Sequence, residues 1–291
     1  MTKMTRASVI AATIMGLLMS ISLVFINAYG QENEANATEF RNLLSNLNYS
    51  KEWPNIHPNV MSDFADRVVM PKINETSFVH PFAIVIGDCH LGQMVYMAPT
   101  AVCRGDEGTP IVIGNYSNIQ DGAVLHALET HEGEHKIDGR VFSMEGKKLM
   151  ANDTEFDKGY AVFVGNRVSL AHGAMVHGPV WIGNNTFVGM ESMIFNAKIG
   201  NNVSIGVAST ITGDVEVPDN RYVPPGSVIT TQDQADALPP RAGSPYEKTN
   251  DAVIHVNNAL AEEYPLECIQ KDAHTRESCM EEGMMETSMP Q

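Results

Sequence analysis

Between residues 164 and 229 an aliphatic residue returns at every sixth position. Val164, Leu170, Val176, Ile182, Val188 and Ile194 open successive hexads. One residue is then dropped, and the register resumes at Ile199, Ile205, Ile211, Val217, Val223 and Ile229. The fifth position is small or branched: Val168, Ala174, Val180, Thr186, Ser192, Val203, Ser209, Val215 and Ser227. Glycine often follows the opening residue, as in Ile182-Gly183 and Ile205-Gly206. An amphipathic helix would repeat near 3.6 residues, so this pattern is not helical. A period of six predicts short parallel strands wound into a coil, three hexads to a triangular turn of about 18 residues. First and fifth positions then point inward, and each turn buries its apolar face only against its neighbours.

The same register extends upstream. From Phe78 the repeat begins, with hexads opening at Val85, Leu91 and Met97, and Cys103 opens a fourth. Arg104 to Pro110 interrupt it, and it returns at Ile113, Ile119 and Leu125. Residues 127–160 form a charged insert that reads as a loop. A polar insert on a regular scaffold is where function is usually placed. The coil resumes at Val164 and ends near residue 230, so residues 78–230 are one domain. A linker leads to Ala252, Val253, Val256 and Leu260, whose spacing predicts a helix within 244–264, packed along the coil. Residues 265–291 are Met-rich, acidic and unpatterned, which predicts a disordered tail. Residues 31–77 read as a linker or N-terminal extension, with a short helix around Thr38–Leu47. The fold class is therefore all-β with a C-terminal α-helix.

The first 30 residues are a separate object. Lys3 and Arg6 precede an apolar run from Ala7 to about Ala28, and Ala28-Tyr29-Gly30 is a small-x-small site. That is the layout of a secretory signal peptide. The run is also nearly long enough to span a bilayer, so residues 7–28 are alternatively a membrane tether. Both readings place the rest of the chain outside the cytoplasm. The net charge of −16 argues against nucleic acid as a partner. Of four cysteines, Cys89 and Cys103 take inward positions and read as small buried hydrophobes. Cys268 and Cys279 could close a short loop in the tail or stay free. Seven Asn-x-Ser/Thr sites occur; those at Asn115, Asn184 and Asn202 fall in coil turns, where tolerance of left-handed backbone explains asparagine.

Three histidines share the register. His126 follows inward Leu125 and His177 follows inward Val176, so both point outward from the same face of successive turns. Stacked strands lie about 4.8 Å apart, a spacing at which two imidazoles can share one ion. His172 stands at the third position of the hexad opened by Leu170, on another face, so it reaches such an ion only from a neighbouring chain of a three-fold assembly. Asp121 takes the same position one turn below His172, beside Gln120. Taken singly, a surface histidine is usually just that. Three converging imidazoles with an open fourth position are a catalytic zinc arrangement.

Arg104-Gly105-Asp106-Glu107, Asn118-Ile119-Gln120-Asp121-Gly122, Leu125-His126-Ala127-Leu128-Glu129-Thr130 and the run from Ser169 to Pro179 together resemble the gamma-class carbonic anhydrases, in particular the exported archaeal prototype of the class. The resemblance covers about residues 78–264. Hexapeptide acyltransferases share the coil without this residue set. The resemblance implies a left-handed parallel β-helix, a homotrimer, and one metal per interface held by His126, His172 and His177. That metal would be Zn2+, with Fe2+ or Co2+ as alternatives. The implied reaction is reversible hydration of carbon dioxide to bicarbonate and a proton by a metal-bound hydroxide. Arg104 and Asp106 would form an interface ion pair. Gln120 would position the attacking water and Asp121 would support it. Glu129 first, and Glu107 second, would carry the proton, and Asn257 matches a site asparagine near the C-terminal helix. Two departures stand out: His255 replaces an expected aromatic, and the insert after Glu129 is longer and differently charged. The rival readings are a hexapeptide acyltransferase with one catalytic histidine and a non-catalytic structural subunit.

Overall fold

The computed structural model describes residues 54–270, with side chains to Pro265. The residues that open the hexads from Val164 to Ile229 are all buried, in the interior of a parallel β-solenoid. Its strands stack in three columns. The first face runs from Lys72–Ile73 through Cys89–Leu91, Ile111–Ile113 and Val162–Val164 to Val215–Val217. The second runs from Phe78–Val79 through Asn118–Ile119 and Ser169–Leu170 to Tyr222–Val223. The third runs from Ile56–His57 through Val102–Gly105, Val124–Ala127 and the start of Met175–Ile182 to Val228–Ile229. The chain visits the faces in turn, and the coil is a left-handed parallel β-helix.

The corners explain the polar part of the hexad. Gly114, Gly165, Gly183 and Gly200 each lie so near the backbone of the next turn that a Cβ would collide with it. The asparagines that follow present side-chain oxygens to the preceding turn. Asn115 N–H donates to Asn166 Oδ1, Asn166 N–H to Asn184 Oδ1, and Asn184 N–H to Asn201 Oδ1, at 2.8 to 2.9 Å. Of the three sequon asparagines in turns, only Asn202 adopts the left-handed backbone; Asn115 and Asn184 serve through this ladder instead. Inward hydroxyls at the fifth position are also satisfied, as where Ser192 Oγ donates to the Gly206 carbonyl at 2.9 Å. A buried hydroxyl without a partner would be costly.

The dropped residue after Ile194 has a local cause. His177 pairs with Phe195 and Val180 with Ala197, so Gly178-Pro179 in one turn oppose Asn196 alone in the next. A Cβ on Gly178 would overlap the Ala161 carbonyl, so only glycine fits directly after His177.

Several expectations need correction. The coil begins before Phe78, because Ile56–His57 and Lys72–Ile73 already pair with its first turns. The insert is not an open loop. It holds two hairpins, His131–Glu132 with His135–Lys136 and Val141–Phe142 with Lys148–Leu149, and a 3-10 turn at Phe156–Lys158. Val141, Leu149 and Phe156 bury one another, and Trp181 Nε1 donates to the Met144 carbonyl at 3.1 Å, which fastens the second hairpin to the first face. The stretch read as a linker after residue 230 contains the helix Gln232–Asp236, closed by a Thr231/Gln234 capping box, with Ala235 and Leu238 plugging the coil. The C-terminal helix spans Thr249–Gln270, past the expected end, and Tyr264 stacks on Phe78 and Tyr96 of the second face. No helix among the described residues is long and apolar enough to cross a membrane. The N-terminal apolar run, the Thr38–Leu47 helix, the side chain of Cys268, and Cys279 lie outside the described residues.

Cys89 and Cys103 are not free. They form a disulfide, with Cα atoms 6.4 Å apart, that ties the first face to the third through the core. Inward pointing was legible, but that two faces of one turn bring these sulfurs together was not. A cross-link closing a loop of 14 residues limits the unfolded chain, an effect of about 3 kcal/mol. A Cys89→Ala/Cys103→Ala chain is expected to lose about that much unfolding free energy in a urea titration, and midpoints equal to the oxidised wild type would contradict this.

Candidate metal centre

On the third face Arg104, His126, His177 and Phe195 stand in one column across successive turns, because Cys103, Leu125, Val176 and Ile194 beside them are in register. His126 Nδ1 lies 3.2 Å from His177 Nε2, and the ring centroids are 5.0 Å apart. His177 Nδ1 lies 3.2 Å from the Gly178 carbonyl, and Arg104 Nη2 lies 2.5 Å from His126 Nε2. One assignment satisfies all three contacts: Arg104 donates to His126, His126 to His177, and His177 to the Gly178 carbonyl. Both imidazoles are then neutral, the state a metal ligand requires. The backbone carbonyl fixes the orientation of His177, as ligand histidines generally need.

The acidic loop crosses the same column. Arg104 Nε donates to Asp106 Oδ1 at 3.1 Å, and Nη2 donates to Glu107 Oε1 at 3.3 Å. His126 Nε2 is 3.4 Å from Asp106 and 3.1 Å from Glu107. Asp106, Glu107 and His126 thus gather three ligand atoms within 4.8 Å of one another, a group that could hold a metal. Burial alone would raise the Asp106 carboxyl, but its contact with His126 and the Arg104 charge outweigh it and hold the group below its usual range. The Arg104–Asp106 pair closes within one chain, whereas the resemblance implies an interface pair.

The other sequence-predicted residues lie elsewhere. His172 leaves the second face at a corner, half exposed, with Nδ1 3.0 Å from Asp121 Oδ2. The structure therefore brings His126 and His177 together within one chain and pairs His172 with Asp121. Gln120 is buried, its Nε2 donating to Asn118 Oδ1 at 3.0 Å, while Asn118 Nδ2 donates to Ser169 Oγ at 2.9 Å. Asn118 is thus an orienting residue that sequence reading missed; its sign was a polar residue two positions before Gln120, on the same side of the strand. Asn257 is buried in the C-terminal helix and donates to the Val253 carbonyl at 2.9 Å. Glu129 is partly exposed, with Oε1 3.9 Å from Arg140 Nη2, so of the two glutamates Glu107 is the one beside the imidazoles.

Burial pushes His177 below its ordinary 6.5, outweighing the Gly178 carbonyl and Glu107, which favour the charged form. An unfolded histidine takes its proton near 6.5 and the folded one only at lower pH. Over that window the unfolded chain holds more protons, so stability contributed here is present above 6.5 and is lost as pH falls below it. The metal-free wild type is expected to lose more of its urea midpoint between about pH 7.5 and about pH 5.5 than His177→Gln does. Equal losses would contradict the assignment.

No family model matches the chain. It is 42% identical over 216 residues to the carbonic anhydrase of Methanosarcina thermophila, covering 73% of this chain and 82% of that protein. It is also 42% identical over 193 residues to the carboxysome assembly protein CcmM of Nostoc sp., covering 66% of this chain but 31% of that protein. A hexapeptide transferase family protein from Anaplasma phagocytophilum superposes with a TM-score of 0.46 at 21% identity, over 67% of this chain and 93% of that one.

Proposed function

Because the chain belongs to the gamma-class carbonic anhydrase family, we propose that it hydrates carbon dioxide reversibly to bicarbonate and a proton at sites between the subunits of a homotrimer. The observation that carries this reading is the placement of the imidazoles. His126 and His177 stand side by side on one face, while His172 leaves from another with Asp121. A second copy would bring its His172 imidazole to the first two. Support for such a copy comes from the row beside the pair. Ile84, Val102, Val124, Met175, Met193 and, beyond Thr210, Val228 are aligned by strand register, and Ile84, Met175, Met193 and Val228 are 37 to 60% exposed. An exposed apolar row of that length is an association surface, and three-fold closure makes each contact heterologous.

In this reading His126 and His177 of one chain and His172 of the next would hold a divalent ion, Zn2+ with Fe2+ or Co2+ as alternatives. Such an ion acidifies its water and supplies a nucleophile near neutral pH, the property for which carbonic anhydrase is the standard illustration. Gln120, with its amide nitrogen committed to Asn118, keeps its carbonyl oxygen available to orient water. Asp121 fixes the His172 ring. Glu107 accepts the proton beside His126, and Glu129 passes it to buffer. The disulfide and the N-terminal layout support a location outside the cytoplasm, secreted or tethered through residues 7–28.

A second reading is favoured by the likeness to CcmM: a structural subunit that keeps the histidines without turnover. The acyltransferase reading has only the shared coil behind it. Stopped-flow carbon dioxide hydration by metal-loaded protein of measured metal content separates the first two. Full metal occupancy without hydration would sink the enzyme reading and leave the structural one.

A further inference from the structure

Thr130 directly follows Glu129 and is wholly buried. Its hydroxyl accepts the Thr109 N–H at 2.9 Å, and its own proton is then directed at His131 Nδ1, also 2.9 Å away. Its backbone N–H donates to the Glu107 carbonyl at 3.2 Å, and its carbonyl accepts the Ile137 N–H at 3.0 Å. These bonds join the loop that carries Glu107 to the hairpin that begins after Glu129. Gly108 lies between them at φ +109°, where a Cβ would overlap the Thr130 hydroxyl. Burial holds His131 below its ordinary 6.5, which leaves Nδ1 able to accept.

The far side of the same loop opens into a cavity of about 610 Å³, lined by Gly105, Gly108, Thr109 and His131 among others. The buried Thr109 hydroxyl, on that wall, has no hydrogen-bond partner among the described residues. The loop is therefore not packed against solid protein on that side, and the Thr130 contacts are what hold its backbone.

We propose that Thr130 is the positioning residue of proton transfer, holding Glu107 and Glu129 on the two sides of one buried hydroxyl. This rests on the carbon dioxide hydration reading. Each carboxylate takes up one proton and releases it, first from the site to Glu107, then through Glu129 to buffer, so neither is consumed. Thr130→Val keeps the side-chain shape but leaves the Thr109 N–H buried without an acceptor, a costly state that loosens the loop.

The test compares wild type, Thr130→Val and Thr130→Ser as metal-loaded proteins. Steady-state hydration is measured with and without added imidazole buffer, together with metal content, oligomeric mass and amide exchange at Thr109. Thr130→Val is expected to lower kcat roughly tenfold or more while kcat/KM stays within about twofold, because kcat/KM reports the hydration step and kcat the proton's exit. Imidazole should restore kcat, Thr109 exchange should accelerate, and Thr130→Ser should behave as wild type. Unchanged kcat in Thr130→Val beside an active wild type overturns the assignment of Thr130 alone. Parallel loss of kcat, kcat/KM and metal overturns it in favour of a merely structural role. An inactive wild type overturns the hydration reading, and the inference with it. Should Thr130→Val not fold, Thr130→Ala removes the same acceptor without adding bulk, and the same kcat loss with imidazole rescue is required of it.

Discussion

Co-assembled His172→Ala and His177→Ala chains are expected to recover carbon dioxide hydration that neither shows alone. Each homotrimer lacks one imidazole at every site. Loss of groups that merely orient a ligand already costs 10–100-fold in affinity or activity, so loss of a ligand should cost at least about 100-fold. In a mixed trimer, the interface that joins the His126 and His177 of one chain to the His172 of the other has all three. With three heterologous contacts per trimer, one in three is complete whenever both chain types are present. Random mixing of equal amounts puts about three quarters of trimers in that class, so activity should return to about a quarter of wild type. His172 is half exposed, and its one ion pair among the described residues is with Asp121, so its removal should leave the coil intact. Mixed trimers verified by native mass that remain inactive would mean that the three imidazoles do not share one ion.

The second large effect separates the two glutamates. Glu107 touches both Arg104 and His126, whereas Glu129 pairs with Arg140 nearer solvent. Removing Glu107 is expected to lower kcat about 100-fold, the usual scale of a lost acid–base group, and to lower kcat/KM as well, because the Arg104–His126 contact loses its carboxylate. Removing Glu129 is expected to lower kcat alone, in a buffer-dependent way that imidazole relieves. Stopped-flow hydration across a series of buffer concentrations reads both outcomes. A Glu129→Ala enzyme with wild-type kcat at every buffer concentration would remove Glu129 from the path.

The legibility of this chain is uneven for physical reasons. Val164 to Ile229 announce their fold because a coil of equal turns repeats its burial pattern, and each inward residue must meet the next turn. His126 and His177 could be stacked from the sequence for the same reason: they follow Leu125 and Val176, which occupy equivalent places. His172 and Asp121 share a corner by the same count. Arg104 was assigned through family resemblance, although its place under His126 also follows from Cys103 being in register with Leu125.

Where the period breaks, the reading failed. The insert that holds Thr130 and His131 closes loops whose path is set by side-chain contacts, such as Trp181 with Met144, and no repeat relates them to the coil. The Cys89–Cys103 bond escaped notice because inward pointing says that a residue is buried, not which residue it meets across the interior. By itself, then, the sequence determined the coil, its register and the face on which each histidine stands, because a repeating strand geometry turns spacing directly into position. Tertiary structure decided which sulfurs pair, which glutamate reaches His126 and what anchors the acidic loop, because those contacts join segments whose separation along the chain carries no period.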